Sequence, residues 1–292
     1  MKPLIPERNF HINIVLPVIK AREVAMQQAL ILSEKTIAKT EAAGNFLTDI
    51  ADVILFITHF IKETFSRRFE WREFMHQCFL IGYKSLPLIS VTGTIMGLVL
   101  TIQSRPVLAN FGAESLLPGM VAVSLIREMG PVITGLICAG KIASSMGAEL
   151  GSMKVTEQIE AMEVSSTNPM KFLVVTRVWA AVLMIPLLIL YADCLGILGS
   201  WAGANLKGDV SFTLFFSQAF SHIGFIDLIP AFIKSFFFGA VIGMVGCYKG
   251  YNAGRGTESV GIAANSAVVI SSLLVLIVDV IAVQITDMIG VI

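Results

Sequence analysis

Residues 116–164 read LLPGMVAVSLIREMGPVITGLICAGKIASSMGAELGSMKVTEQIEAMEV, from Leu116 to Val164. As far as Ala148 this stretch is apolar apart from Arg127, Glu128 and Lys141, and the fold turns on whether those three are accepted inside a membrane. A bilayer core needs about 20 apolar residues in a helix. Ionisable groups in hydrocarbon are costly and are kept there for use. Beyond Ala148 the pattern becomes acidic and amphipathic: Val155, Ile159 and Met162 fall at i, i+4 and i+7, with Glu157 and Glu160 on another face. The stretch reads as a charged span followed by a short helix outside the membrane. Thr156 or Ser152 is placed to cap that helix, the early glutamates suit its dipole, and Asn168-Pro169 ends it.

Working outward, the composition agrees. Of 292 residues, 55% are hydrophobic and 14% charged, with 13 Met and 19 Phe, and the mean hydropathy is +0.79, outside the balance of a soluble domain. Lys+Arg and Asp+Glu are equal at 21 each, so no basic surplus points to nucleic acid. Leu86 to Ser104 and Ser259 to Val278 are uninterrupted, whereas Val178 to Leu206 contains Asp193 and Leu228 to Tyr248 contains Lys234. Accepting these charges gives five spans, at about 86–107, 116–148, 174–206, 228–248 and 259–287. An odd number puts the termini on opposite sides. Arg67, Arg68, Arg72 and Lys84 precede the first span; Lys154, Lys171 and Arg177 lie between the second and third, and Lys249 and Arg255 between the fourth and fifth. The other side has only Arg105 and Lys207. By the positive-inside rule the N-terminus and the three basic regions face the cytoplasm, and Ile292 faces the opposite compartment.

Residues 1–66 differ in character and read as an N-terminal helical extension. Met1 to Lys20 shows no removable targeting signal. Ala21 to about Thr64 is helix-compatible with a break at Gly44-Asn45, and Phe46, Ile50, Val53, Ile54, Ile57 and Ile61 share a face opposite Asp49, Asp52 and Lys62. Residues 67–84 mix Phe69, Trp71, Phe74, Met75, Phe79 and Leu80 with polar residues, which suits an interfacial amphipathic helix with Trp71 at headgroup level, or a packed soluble helix. The expected fold is all-α and integral to the membrane: five transmembrane helices preceded by that interfacial helix, with a short cytoplasmic coupling helix between spans two and three.

Adjacent helical residues point about 100° apart, so Arg127 and Glu128 do not neutralise each other face to face. Each needs another partner, a cavity or water. Two readings stand: a polar spot beside a pathway for an amphiphile or ion, or an ion pair between helices with Lys234 or Asp193 as the counter-charge. Pro131 removes a backbone donor and invites a kink beside the pair. Lys141, Lys234 and Asp279 lie nearer span ends, where side chains snorkel. G-x-x-x-G spacing at Gly93/Gly97, Gly147/Gly151, Gly199/Gly203, Gly239/Gly243 and Gly246/Gly250/Gly254 implies close helix approach, within the chain or at a homodimer seam. Cys78, Cys138, Cys194 and Cys247 are isolated, with no C-x-x-C spacing, and read as packing residues.

Several blocks resemble the MlaE (YrbE) permease family: Arg127-Glu128-Met129-Gly130-Pro131-Val132, Ala139-Gly140-Lys141, Ala148 through Val164, and Asn168-Pro169. The likeness extends to Ser85-Leu86-Pro87, Gln103, Phe111 to Ser115, Ile233-Lys234-Ser235, Gly250, Gly261 and Asp279, and covers about residues 67–292, an MlaE-type permease domain. The resemblance implies a homodimeric membrane subunit of an ABC transporter in a bacterial inner membrane. A cytoplasmic ABC ATPase would hold the ATP and Mg, leaving no cofactor or metal in this chain, and a periplasmic mammalian-cell-entry (MCE) domain protein would be a further partner. The cargo would be phospholipid passing between inner and outer membranes. It implies Arg127, Glu128 and Lys234 as lipid-pathway residues, and Glu149, Gly151, Met153, Thr156, Glu157, Ile159, Glu160, Met162 and Glu163 as the ATPase-coupling segment. The chain departs from the family pattern at Lys141, where arginine is common, at Thr176 before Arg177, where proline is usual, and in its longer N-terminus.

The chain has no G-x-x-x-x-G-K-[ST], so it cannot hold ATP in the P-loop manner and must borrow its energy. A self-contained ion- or proton-coupled transporter using Arg127, Glu128, Asp193 and Lys234 as a relay is the alternative, although no inverted repeat is evident. A passive membrane anchor for periplasmic partners is a third reading. His59, His76 and His222 are scattered, and neither H-E-x-x-H nor G-x-S-x-G occurs, which argues against an intramembrane enzyme.

Overall fold

A computed structural model describes residues 48–66, 69–206, 208 and 210–288. The expectations for Met1 to Lys20, for a break at Gly44-Asn45 and for Phe46 lie outside these residues. Backbone over 48–64 is helical, with Ile54 and Ile61 exposed. In hydrocarbon a segment must satisfy its own backbone, and every regular element among the described residues is helical.

Helix α1 (Trp71–Tyr83) turns Phe74, Gln77, Ile81 and Gly82 inward and leaves Trp71, Met75 and Phe79 exposed. Arg72 and His76 are exposed beside these aromatic and apolar residues, the mixture an interfacial helix carries. A turn at Lys84 separates it from α2 (Leu86–Asn110), the first span. The second span is built from α3 (Leu117–Ser124), a π-helical turn Leu125–Met129, α4 (Gly130–Cys138), a second π turn Ala139–Ala143, and α5 (Ser144–Val155). The run Glu114–Val155 holds 42 residues, about 60 Å at 1.5 Å per residue, roughly twice the hydrocarbon thickness. Part of it must project from the membrane. The kink expected at Pro131 takes the form of the first π turn: Gly130 N–H closes onto the Leu125 carbonyl just before the proline, where the α-helical ladder loses a donor.

After α5 come a short helix α6 (Gln158–Val164), a π turn Met170–Val175, α7 (Thr176–Asn205), α8 (Phe212–Ser221), α9 (Phe225–Tyr251) and α10 (Thr257–Met288). Among the described residues five runs are long and apolar enough to cross a membrane, at Trp71–Asn110, Glu114–Val155, Met170–Asn205, Asp227–Tyr251 and Thr257–Met288. The predicted class of five spans preceded by an amphipathic helix, with a short helix between spans two and three, is the observed one.

Span three, α7, lies at the centre, packed between α1 and α2 on one side and α9 on another. The glycine stripes are what allow this. A methyl group on Gly97 would sit 1.8 Å from the Gly196 carbonyl oxygen, one on Gly199 2.1 Å from the Thr94 carbonyl oxygen, and one on Gly239 2.7 Å from that of Ala181. These stripes therefore serve packing within the chain, resolving the choice that spacing left open. Thr101 and Ser200 add a buried hydroxyl pair at 2.8 Å across the α2–α7 seam.

The element the sequence reading passed over is α8. Phe215 and Ala219 are buried on it, Phe212 stacks on Phe216 at 4.2 Å, and Trp201 of α7 meets Phe212 edge-on. The signal was present: Phe212, Phe215, Phe216, Ala219 and Phe220 follow the helical apolar period.

Gly97→Leu should lower folding stability by about 3 kcal/mol, at the upper end of overpacking costs, read as a fall in the thermal midpoint of detergent-solubilised protein. Gly261→Ala, where an added methyl meets open space, should leave the midpoint unchanged or raise it through helix propensity, by up to about 1 kcal/mol.

Candidate functional site

Lys234 stands in α9 among Phe232, Phe236 and Phe237, and snorkelling was expected of it. The structure corrects this. Its side chain is only 4% exposed, and Nζ donates to Glu128 Oε2 at 2.8 Å and Asp279 Oδ1 at 2.9 Å. Asp279 comes from α10 and is likewise drawn inward rather than toward a membrane surface. Glu128 sits in the first π turn of span two, so a single ammonium ties three spans together. An unpaired buried charge is costly, and two carboxylates at hydrogen-bond distance supply Lys234 with partners.

Arg127, one step around the turn from Glu128, faces Asp227 at 4.0 Å. That carboxylate was not foreseen. It is held in place because its Oδ2 accepts the Gly224 N–H at 3.0 Å, closing the first turn of α9. By formal charge, Arg127 and Lys234 oppose Glu128, Asp227 and Asp279, two cations against three carboxylates. The crevice among Arg127, Glu128, Asp227 and Lys234, bounded also by Ala231, Val283 and Thr286, holds about 20 Å³, room for a single water molecule. Asp193 also approaches the π turn: an added methyl on Gly130 would lie 1.7 Å from its Oδ1. It does not join the ion pairs, and that buried oxygen has no hydrogen-bond partner among the described residues. The ion-pair reading holds for Glu128, whose counter-charge is Lys234, whereas Arg127 faces Asp227 and not Asp193.

The residues expected to form one helix from Gly151 to Val164 are divided. Gly151 and Met153 belong to α5, which continues span two to Val155; Gly151 packs on Ala253 and Val260. Glu157 then takes a left-handed conformation, φ 57°, and α6 starts at Gln158. The chain therefore bends where the amphipathic spacing suggested continuity. Thr156 does not cap α6; its hydroxyl donates back to the Ser152 carbonyl at 2.8 Å at the end of α5. Asn168-Pro169 does not terminate α6 either but starts the next helix, Asn168 Oδ1 accepting the Lys171 N–H at 3.3 Å. On α6, Ile159 is 1% exposed while Glu157 and Glu163 are exposed and Met162 partly so, and Val164 beyond them is 88% exposed. Glu160 bonds Lys154, and that hydrogen bond, then its backbone bond and the nearby charges of Lys154 and Arg255, hold its carboxyl below the usual range.

Glu149 stands apart from this group. It accepts from Arg177 at 2.7 Å, and Arg177, read from sequence as a loop cation, is 2% exposed on α7. The sequence signal for the pair was weak: the two lie 28 residues apart on different spans.

A five-span helical bundle with paired charges inside its spans has the build of a polytopic membrane protein. Residues 74–285 match the family model Permease MlaE. A probable ABC transporter permease protein of Rickettsia typhi is 41% identical over 203 residues, covering 70% of this chain and 78% of the relative. The intermembrane phospholipid transport system permease protein MlaE of Haemophilus influenzae is 35% identical over 201 residues, covering 68% and 77%. The chloroplast protein trigalactosyldiacylglycerol 1 of Arabidopsis thaliana is 32% identical over 212 residues, covering 73% and 61%. The chain belongs to the MlaE permease family. It is accordingly a multi-pass ABC transporter permease and not itself a catalytic subunit.

Removing one partner of a buried pair costs about 3–5 kcal/mol. Lys234→Met, which strands two carboxylates, should reach that range in a detergent thermal-unfolding series. Glu128→Gln should cost less, because Lys234 retains Asp279. Adding Glu128→Gln and Asp279→Asn to Lys234→Met should restore much of the loss.

Proposed function

We propose that this chain is the transmembrane subunit of an ABC transporter that moves phospholipids between inner and outer membranes, with a periplasmic MCE-domain partner. Residues 67–292 form the permease domain in a bacterial inner membrane, the N-terminus cytoplasmic and the C-terminus periplasmic, and two copies pair. A separate cytoplasmic ATPase holds ATP and Mg and docks on α6 with the end of α5, through Thr156, Glu157, Glu160, Met162 and Glu163. Three basic regions on the α6 side support the orientation.

The observation that carries this reading is the buried Lys234, bonded to carboxylates from two other spans. Ionisable groups are retained inside spans for a cargo or a conformational step, and this one borders the apolar residues Ala231 and Val283, a mixture that suits an amphiphile. The phospholipid assignment draws on the Haemophilus relative's name. In the resting arrangement the crevice takes one water, so a headgroup enters only after spans separate. Movement of α6, driven by the ATPases, travels along α5 and span two to Glu128. Lys234 and Arg127 then exchange a carboxylate for the lipid phosphate, one charged hydrogen bond replacing another.

The test is reconstitution of the complex in proteoliposomes, with ATP-dependent transfer of labelled phospholipid to acceptor membranes. Glu157→Lys with Glu160→Lys should abolish ATPase co-purification and reduce transfer more than about tenfold, through like-charge mismatch at the docking face. Retained docking and transfer in that variant would refute the coupling role. Nucleotide-free transport by this chain alone would instead favour an ion-coupled carrier.

A further inference from the structure

A second polar cleft lies at the other end of span two, between α1, the turn at Lys84-Ser85 and the second π turn with α5. It encloses about 300 Å³ and is open on one side, the lower bound of the roughly 300–1,000 Å³ typical of small-ligand sites. Lys84 and Lys141 both line it, with Leu80 and Ile142 supplying apolar wall. Lys84 is exposed and makes no ion pair among the described residues, while the Lys141 ammonium donates only to the Lys84 carbonyl. Ser85 is 2% exposed, and its hydroxyl, buried at the cleft, has no hydrogen-bond partner among the described residues. The one acid on the wall, Glu149, is already engaged by Arg177.

Two ammonium groups and a free buried hydroxyl converge on a cleft whose only carboxylate is compensated. That is the chemistry of a phosphate site, and basic pockets between spans bind lipid headgroups in this way. We infer that this cleft binds a phosphate group, and that the group belongs to a membrane lipid whose acyl chains leave along Leu80 and Ile142. The site is distinct from the Lys234 cluster. Residue 141 lies 13 positions beyond Glu128 on the same run of helix, about 20 Å away, and the assignment does not depend on the transport reading.

The full chain, purified in mild detergent and stripped of lipid, is titrated by native mass spectrometry. The probes are phosphatidylglycerol, diacylglycerol with the same chains, and inorganic phosphate. Phosphatidylglycerol should bind, diacylglycerol should not, and Lys84→Gln with Lys141→Gln should weaken phosphatidylglycerol binding by about tenfold or more. Lys84→Arg with Lys141→Arg should keep it. Equal binding of diacylglycerol, or unchanged binding by the glutamine pair, overturns the site. Binding of inorganic phosphate with no competition from the lipid overturns the lipid source. A photoreactive headgroup analogue on the unaltered chain supplies a second readout: labelling of 77–85 or 141–149 supports the site, and labelling confined to other segments sinks it.

Discussion

Close backbone contact at α7 is the constraint on which the other positions rest. Lipid tails are as apolar as leucine, so spans gain little by hiding side chains from them and associate through tight packing and polar contacts. Here the contact is nearly backbone on backbone, Gly97 against Gly196 and Gly239 against Ala181. With α2 and α9 held to α7 in this way, the depth of Lys234 is set by the register of α9 and not by its own ion pairs. Glu128 and Asp279 reach a lysine that is already placed.

That order of causes explains why a charged cluster is tolerated among spans. An ion pair assembled in hydrocarbon must offset desolvation of both partners and seldom yields net stability. A pair assembled by packing that exists for other reasons needs only to avoid being unpaired. The cluster has an unequal balance, two cations to three carboxylates, and the water-sized crevice beside it leaves space for solvent to moderate the excess.

What could be read from sequence follows how local each cause is. The spans declared themselves through length and hydropathy, and the glycine stripes announced close approach, because both are properties of consecutive residues. Lys234 meets Glu128 across 106 positions and Asp279 across 45, and nothing local says which carboxylate it will find. Asp193 looked as eligible a counter-charge for Arg127 as any carboxylate, yet Asp227 takes that place. The bend at Glu157 was hidden for a different reason: left-handed backbone favours glycine or asparagine, so glutamate at φ 57° carries no local sign and the apolar spacing ran smoothly through it. Arg177 was counted as a loop charge because a cation near a span end ordinarily reaches water; Glu149, one span away, removed that need.

The two π turns then acquire a mechanical meaning. From Ile159 back to Glu128 the path runs through α5, one π turn and α4 before reaching the other, which contains Glu128 itself. π turns inside α-helices are frequent at functional sites. Helix shifts in switching proteins are commonly about 1–2 Å. The Lys234–Glu128 bond is 2.8 Å long, so a displacement of about 1 Å directed along the bond would carry it past hydrogen-bond range, whereas one across it would not. Lys234 would still hold Asp279, because α9 is pinned to α7 and that bond does not involve span two. A displacement of span two along the Lys234–Glu128 direction would therefore change one of the two bonds to Lys234 and leave the other, opening a donor without stranding a buried charge.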